Sequence, residues 1–170
     1  LFDRKILKRG AVVLGVFSAV HVAAILVTAV LPMENWKSSR LYDGIVFHFR
    51  IADVLEQLKP YEGEYAIAAD GYSAAVTASY YRGRANAGDA GKAPAAVPRD
   101  PYVFVFGEAS SHARHDDLVT DFRPLNGRNI LVLRKSPPQD ADYRPYFSSV
   151  EYREFDIAGA RFHLVLGRGF

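Results

Sequence analysis

The feature that most constrains this chain is an uncharged apolar run near its N-terminus, from Gly10 to Leu31. A helix needs roughly 20 apolar residues to cross the hydrocarbon core of a bilayer, and this run is long enough. It has no polar face, which argues against a helix buried in the core of a soluble protein. The run ends at Pro32, and Trp36 follows where an interfacial aromatic side chain is expected. The sequence therefore predicts a transmembrane helix over residues 10–32.

The charges on the two sides of the run predict its orientation. Residues 1–9 carry four basic side chains against one acidic side chain, whereas the charges after the run are mixed. Basic flanks stay in the cytoplasm, so residues 1–9 are predicted to be a cytoplasmic basic flank and residues 41–170 a soluble domain on the non-cytoplasmic side. A cleaved signal peptide is the alternative, because it also joins a basic start to an apolar run.

Composition excludes several classes of function. The net charge is +2, and basic residues do not gather in one segment outside the N-terminus, so we expect no nucleic-acid partner. The chain has no cysteine, which excludes a disulfide framework, a thiolate nucleophile and a Cys-based zinc site. It contains neither a P-loop nor a G-x-G-x-x-G motif. The first residue is Leu1 rather than Met, so we expect a piece of a longer polypeptide.

Residues 41–170 have the pattern of a small α/β sandwich. Apolar runs over residues 64–69, 102–106 and 129–133 predict buried strands, and helical spacing predicts helices over about residues 47–58 and 72–81. Apolar strands that alternate with helices are typical of parallel βαβ units. We therefore expect a mixed, mostly parallel sheet of about five strands.

Two further segments complete the predicted domain. Alternating runs over residues 150–157 and 161–166, joined by Ala158-Gly159-Ala160, predict a C-terminal antiparallel hairpin. Residues 82–101 are rich in Gly, Ala and Pro and have no periodicity, so they are predicted to form a flexible insertion loop.

Polar side chains follow the first two predicted strands. Ligands of open parallel sheets bind beyond the carboxyl ends of the strands, and neighbouring strands would bring these side chains to one edge. The sequence thus predicts a candidate polar rim for a sugar or phosphate group, which consists of Asp70, Tyr72, Ser111, His112, Arg114 and Asp116. Solvated loops in which Asp and Ser cap helices are the alternative interpretation.

Two catalytic interpretations of the second polar loop lack part of their pattern. His112, His115 and Asp116 are metal-ligand types, but a zinc site needs at least three converging ligands and one short loop rarely supplies them. Ser110 or Ser111 beside His112 and Asp116 suggests a nucleophilic triad, yet there is no G-x-S-x-G elbow. We therefore predict no catalytic residue, no metal site and no cofactor in this fragment.

Four segments resemble the C-terminal end of bacterial glycosyltransferase family 39, the protein-mannosyltransferase-type integral membrane enzymes that include relatives of the aminoarabinose transferase. The segments are YDGIVFHF, DGYSAAVTASYY, VFVFGEASSHARHDDLVTDF and LNGRNILVL. In the family, a Tyr-containing helix follows the first strand, an Arg- and Asp-bearing loop follows the second, and a Gly-containing turn precedes the third. Tyr72, Arg114 and Asp116 match recurring positions, whereas residues 82–101 are longer than the usual connection.

The resemblance implies that the parent protein transfers a sugar from a polyprenyl-phosphate-linked donor to a periplasmic acceptor. It also implies that the helix lies in a bacterial inner membrane and that residues 41–170 are a soluble periplasmic domain. The family carries its catalytic acidic residue in the first external loop, so this fragment is predicted to be accessory. Its implied partners are membrane lipid, other transmembrane helices of the parent, and a lipid-linked sugar or glycan acceptor. The alternative function is a single-span, membrane-anchored periplasmic binding or scaffolding module. Further hydrophobic spans upstream of Leu1 would favour the transferase, and an initiator Met close to Leu1 would favour the module.

Overall fold

The computed structural model describes residues 4–30, 32–89, 102–106 and 123–170. The chain divides into two compact units, Leu1–Ser38 and Ser39–Phe170. Each is described by itself.

The first unit is dominated by helix α1, Arg4–Val30. Within Arg4–Val27, an 18-residue window has a mean hydropathy of 2.4, and none of this window is buried. The helix is therefore long and apolar enough to cross a membrane. The helix begins six residues before the predicted start at Gly10, because Lys, Arg and Leu are good helix formers and nothing before Gly10 interrupts the turn. A short 3₁₀ helix, Met33–Trp36, follows Pro32.

The second unit begins with two helices, α2 (Tyr42–Phe49) and α3 (Ile51–Leu58). The sequence predicted one helix over residues 47–58, and this prediction is wrong because two helices occupy the segment. The backbone leaves helical geometry at Arg50, with φ −117° and ψ 29°, and this residue ends α2 and begins α3. The two helices pack against different elements, α2 against strand β5 (Ala160–Arg168) and α3 against helix α4 (Tyr72–Asp89). The break allows each to align with its own partner.

The sheet has five strands in the order β2-β1-β3-β5-β4. Strand β1 pairs in parallel with β2 and with β3, whereas β5 pairs antiparallel with β3 and with β4. The prediction of a mixed α/β sheet after an N-terminal apolar helix is therefore confirmed. The remaining strands are β1 (Tyr65–Ala69), β2 (Phe104–Val105), β3 (Asn129–Arg134) and β4 (Ser149–Ile157).

Helix α4 is longer than predicted. It was expected to end at Tyr81 but continues to Asp89, so the first part of the predicted insertion loop is helical. Arg and Ala in this stretch have high helix propensity. Arg82 also anchors it, because its Nη2 lies 3.3 Å from Oε1 of Glu62 in a largely buried ion pair. The rest of the predicted loop, residues 90–101, lies outside the described residues.

The C-terminal hairpin is confirmed, and its turn explains why it is tight. Ala158 (φ 51°) and Gly159 (φ 83°) join Ile157 to Ala160, which are paired across the strands. Two consecutive residues with positive φ are what a two-residue type I′ turn requires, and this turn matches the right-handed twist of the flanking strands.

The two faces of the sheet are covered differently. Side chains alternate between faces along each strand. One side, the helix face, includes Ile67, Leu131 and Phe162 and packs against the helices, since the rings of Phe162 and Phe47 lie 6.3 Å apart. The other side, the loop face, packs against the connection between β3 and β4. The buried cluster of the loop face consists of Ala68, Phe104, Phe106, Ile130, Val132, Tyr143, Phe147 and Val165.

Candidate functional site

The carboxyl ends of the three parallel strands meet at one edge of the sheet. Ala68 and Ala69 of β1 pair with Phe104 and Val105 of β2, as predicted for adjacent parallel strands. The pairing continues past β2, because the backbone N–H of Phe106 donates to the carbonyl of Ala69 at 2.9 Å. The N–H of Asp70 donates to the carbonyl of Leu133 at 3.1 Å. Asp70 is thereby fixed at the end of β3.

An arginine on β3 occupies the place beside Asp70. Nε of Arg134 lies 3.4 Å from Oδ2 of Asp70, and the two side chains are only 15% and 21% exposed. Nη1 of Arg134 lies 3.2 Å from Oδ2 of Asp142 and donates to the hydroxyl of Tyr143 at 3.0 Å. Nη2 donates to Oγ of Ser136 at 3.4 Å. Asp70, Arg134, Asp142 and Tyr143 are named the Arg134 cluster below.

Aromatic rings form the floor of the Arg134 cluster. The guanidinium carbon of Arg134 lies 5.4 Å from the ring centroid of Tyr143, a cation–π distance. The ring of Phe106 stacks against the ring of Tyr143, with the two ring centroids 6.0 Å apart and the ring planes 16° apart. Phe106 and Tyr143 are both buried. The cluster is therefore a polar layer that lies directly on the loop-face core.

The electrostatics of the cluster follow from its burial. Desolvation raises the pKa of Asp70 above its ordinary value, although the nearby Arg134 and Lys135 oppose this. Desolvation also raises the pKa of the Tyr143 hydroxyl, again against the effect of Arg134. Nη1 and Nη2 of Arg134 donate to Asp142, Tyr143 and Ser136, whereas Nε lies near Asp70 without a hydrogen bond. The arrangement links the strand ends to the segment that covers the loop face.

The predicted rim residues are only partly within the described chain. Tyr72 begins α4, two residues after Asp70, and is 38% exposed. Asp70 lies on the predicted edge. Ser111, His112, Arg114 and Asp116 lie outside the described residues, so their place on the rim stays a prediction.

Sequence reasoning missed the cation of this edge. The side chain that pairs with Asp70 is Arg134, which is not among the predicted rim residues. A signal was present, because Arg134 directly follows the apolar run of the third parallel strand and so falls at the same carboxyl edge. Tyr143 and Asp142 had no such signal, since they lie in a segment without periodicity.

Within residues 4–30, 32–89, 102–106 and 123–170, no group of three or more His, Cys, Asp or Glu side chains is placed to hold a metal ion. The two carboxylates of the Arg134 cluster both approach the same guanidinium. Each of these two carboxylates is therefore an ion-pair partner of Arg134.

Comparison of the chain with family models, with curated proteins and with solved structures gives no match.

Proposed function

We propose that this chain is the C-terminal membrane helix and extracytoplasmic accessory domain of a membrane glycosyltransferase. The parent would transfer a sugar from a polyprenyl-phosphate-linked donor to a periplasmic acceptor, at the inner membrane of a bacterium. The observation that carries the proposal is the order of the segments that resemble family 39. DGYSAAVTASYY begins directly after β1 and covers the first ten residues of α4, the VFVF of the third segment covers β2, and LNGRNILVL leads into β3.

The turn before β3 supports this alignment of segments. The resemblance expects a Gly-containing turn there, and Gly127 has a positive φ of 76°. A side chain is strained at such a backbone angle, so glycine serves a conformational purpose at this position. The N–H of Gly127 also donates to the carbonyl of Phe170, which ties this turn to the end of the domain.

The Arg134 cluster supports an accessory role for the domain. A catalytic acid or base needs an accessible group with a reactive proton. Of the described carboxylates at the rim, Asp70 is mostly buried and pairs with Arg134, and Asp142 is 45% exposed and pairs with the same guanidinium. The proposal therefore assigns the chemistry to the membrane part of the parent and gives this domain a supporting place over it.

The surface of α1 supports packing against other membrane helices of the parent. A shallow groove on it is lined by five uncharged residues and one arginine: Ile6, Arg9, Gly10, Val13, Leu14 and Phe17. Apart from the chain neighbours of Gly10 and the backbone of its own helix, no described atom lies within 4 Å of a Cβ placed on Gly10. Small residues let neighbouring transmembrane helices approach closely.

The test uses the whole natural reading frame that contains this sequence. Membrane vesicles carrying the whole protein should transfer labelled sugar from a polyprenyl-phosphate donor, and deletion of residues 39–170 should lower that transfer. Residues 1–170 alone, expressed at equal level, should give none.

Two outcomes contradict the proposal. Transfer by residues 1–170 alone would make this domain catalytic. An initiator Met just upstream of Leu1, with no further hydrophobic spans, would replace the transferase with the single-span binding or scaffolding module.

A further inference from the structure

The outward face of α2 is apolar although it is exposed. Leu41 is 70% exposed and Phe49 is 71% exposed, and Ile45 between them is partly exposed. Residues four positions apart lie on the same side of a helix, so these three side chains form one continuous row. They are named the α2 stripe. Single exposed apolar residues are ordinary, but a continuous row of large ones marks a contact surface.

The inner face of α2 fixes the direction of the stripe. Tyr42, Val46 and Phe47 are buried. The Tyr42 hydroxyl donates to the carbonyl of Ala158 at 2.6 Å, and the ring of Phe47 packs beside Phe162. The helix cannot turn its stripe inward without breaking these contacts. The stripe is therefore a preformed feature of the folded domain.

The chain itself indicates what covers the stripe. Ten residues, 31–40, separate the end of α1 at Val30 from Leu41. An extended chain spans at most about 3.6 Å per residue, so this connection reaches no further than roughly 40 Å. If α1 crosses a bilayer, Leu41 at the start of the stripe lies within roughly 40 Å of the surface at which α1 leaves that bilayer. Lys37 and Arg40 are exposed just before the stripe together with the acidic Glu34, and the two cations can contact lipid phosphate groups.

We propose that the α2 stripe docks on the headgroup region of the membrane that α1 spans. A helix in this role lies in the plane of the interface with its apolar face roughly 5–10 Å below the headgroup boundary. Docking would bury Leu41, Ile45 and Phe49 and would set the orientation of the domain on the membrane. The inference rests on the membrane insertion of α1, not on the transferase activity of a parent protein.

The sequence has no cysteine, so no native cysteine has to be replaced before a single cysteine is introduced and labelled. Phe49→Cys, labelled with an environment-sensitive fluorophore, is placed in the full chain and reconstituted in vesicles of phosphatidylethanolamine and phosphatidylglycerol. The matched control is Tyr146→Cys, because Tyr146 is 56% exposed and lies on the loop face, where its ring contacts Phe106. Carbonate extraction first verifies that the chain stays in the vesicles.

Docking predicts blue-shifted emission at position 49 and quenching by brominated lipid several-fold stronger than at position 146. Lipids brominated near the headgroup should quench more than lipids brominated near the chain ends. Water-like emission at position 49 would overturn the proposal. A blue shift without lipid quenching would also overturn it, because a protein surface would then cover the stripe. Release of the chain by carbonate would remove its premise and overturn it as well.

A second variant separates docking from an effect of the label. His48 is exposed on α2 beside the stripe, so His48→Cys carries the fluorophore while Leu41→Ser and Phe49→Ser remove the apolar row. Lipid quenching at position 48 should fall several-fold, and the unfolding midpoint should stay unchanged because both replaced side chains are exposed. Unaltered quenching would contradict the role of the stripe. A loss of transferase activity in the parent with quenching retained would leave this inference standing.

Discussion

Asp70 and Arg134 form an ion pair across the ends of β1 and β3, with Oδ2 and Nε 3.4 Å apart. The same guanidinium contacts Asp142 and Tyr143, which belong to the connection that covers the loop face. One arginine thus joins two parallel strands to the segment packed on them. Among the described residues of this edge, the Arg134 guanidinium contacts Asp70, Asp142 and Tyr143 of the same domain.

Replacement of Arg134 should destabilise the domain. Arg134→Gln leaves Asp70 desolvated without its cation and removes a donor to the Tyr143 hydroxyl, so we expect a loss of about 1–3 kcal/mol in the free energy of unfolding. Arg134→Lys should recover only part of it, because an ammonium group cannot reproduce the guanidinium fork. Denaturant unfolding of the chain in detergent micelles measures both.

The matched control for Arg134 is Arg144, which pairs with Asp140 while 65% exposed. Arg144→Gln should change stability by no more than about 0.5 kcal/mol, as surface ion pairs contribute little. Equal losses for the two substitutions would show that the Arg134 cluster has no special structural role.

The raised pKa of Asp70 predicts that this side chain contributes more to the stability of the folded domain at acid pH than at neutral pH. Burial makes the folded state hold the Asp70 proton more tightly than the unfolded chain does. The contribution of this group to stability is therefore fully present below its ordinary pKa of 3.8 and declines as the pH rises through the folded value. Asp70→Asn should remove that decline and should be neutral or stabilising at neutral pH. If Asp70→Asn left the pH dependence of unfolding unchanged, or made the domain less stable at neutral pH, this prediction would be wrong.

Asp140 is the comparison for Asp70, because its pKa is lowered rather than raised. The Tyr152 hydroxyl and the Arg144 guanidinium near it lower its pKa, so its contribution is present above 3.8 and is lost as the pH falls. Asp140→Asn should weaken the acid-side loss of stability, whereas Asp70→Asn should not. The two unfolding profiles, measured between acid and neutral pH, distinguish the two environments.

The sequence predicted the elements that periodicity controls. The apolar runs of β1 and β3 and the alternation of β4 and β5 depend on which face is buried, and the Ala158-Gly159 turn has the chemistry that a tight hairpin needs. The break at Arg50 was not predictable in this way. It arises because α2 and α3 pack on different elements, and that is a tertiary effect.

The position of the polar edge was predictable from the sequence, but the partners of its ion pairs were not. The rule for parallel strands located Asp70 correctly, yet the pairing with Arg134 depends on the register of β1 against β3, which places Ala69 opposite Leu133. The extension of α4 depends on Arg82, whose buried partner Glu62 lies twenty residues away. Local propensity carries no information about such long-range partners.

Arg82 should be the anchor of the extended part of α4. Its side chain is 8% exposed and that of Glu62 is 11% exposed, and Nη1 of Arg82 also donates to the carbonyl of Tyr102 at 3.5 Å. Removing one partner of a buried ion pair typically destabilises a protein by roughly 3–5 kcal/mol, so we expect Arg82→Gln to fall in this range. Denaturant unfolding measures the loss, and circular dichroism measures the helix content.

Arg84 is the control for Arg82, because it lies two residues later on an exposed face and contacts only Tyr80 among the contacts described for it. Arg84→Gln should cost less than about 1 kcal/mol. If Arg82→Gln were equally mild, the buried pair would not hold this part of the helix.

The hairpin turn should accept a stabilising substitution. Ala158 has a φ of 51°, a backbone region that L side chains other than Asn and Asp rarely adopt. Ala158→Asn should raise the free energy of unfolding by about 0.5–1 kcal/mol, because Asn followed by Gly is the preferred pair in this turn. Gly159→Ala should lower it by about 1–2 kcal/mol, since Gly159 has a φ of 83°. Stabilisation by both substitutions would contradict the turn geometry.

The membrane topology is tested most directly by a reporter that is active only in the periplasm, fused after Phe170 in a bacterial host. Because residues 1–9 are basic and α1 is long enough to span a membrane, the fusion should be active and should stay with the membrane after carbonate extraction. A cytoplasmic reporter at the same site should be silent. An active cytoplasmic reporter with a silent periplasmic one would contradict the orientation, and an active fusion released into the soluble fraction would identify α1 as a cleaved signal peptide.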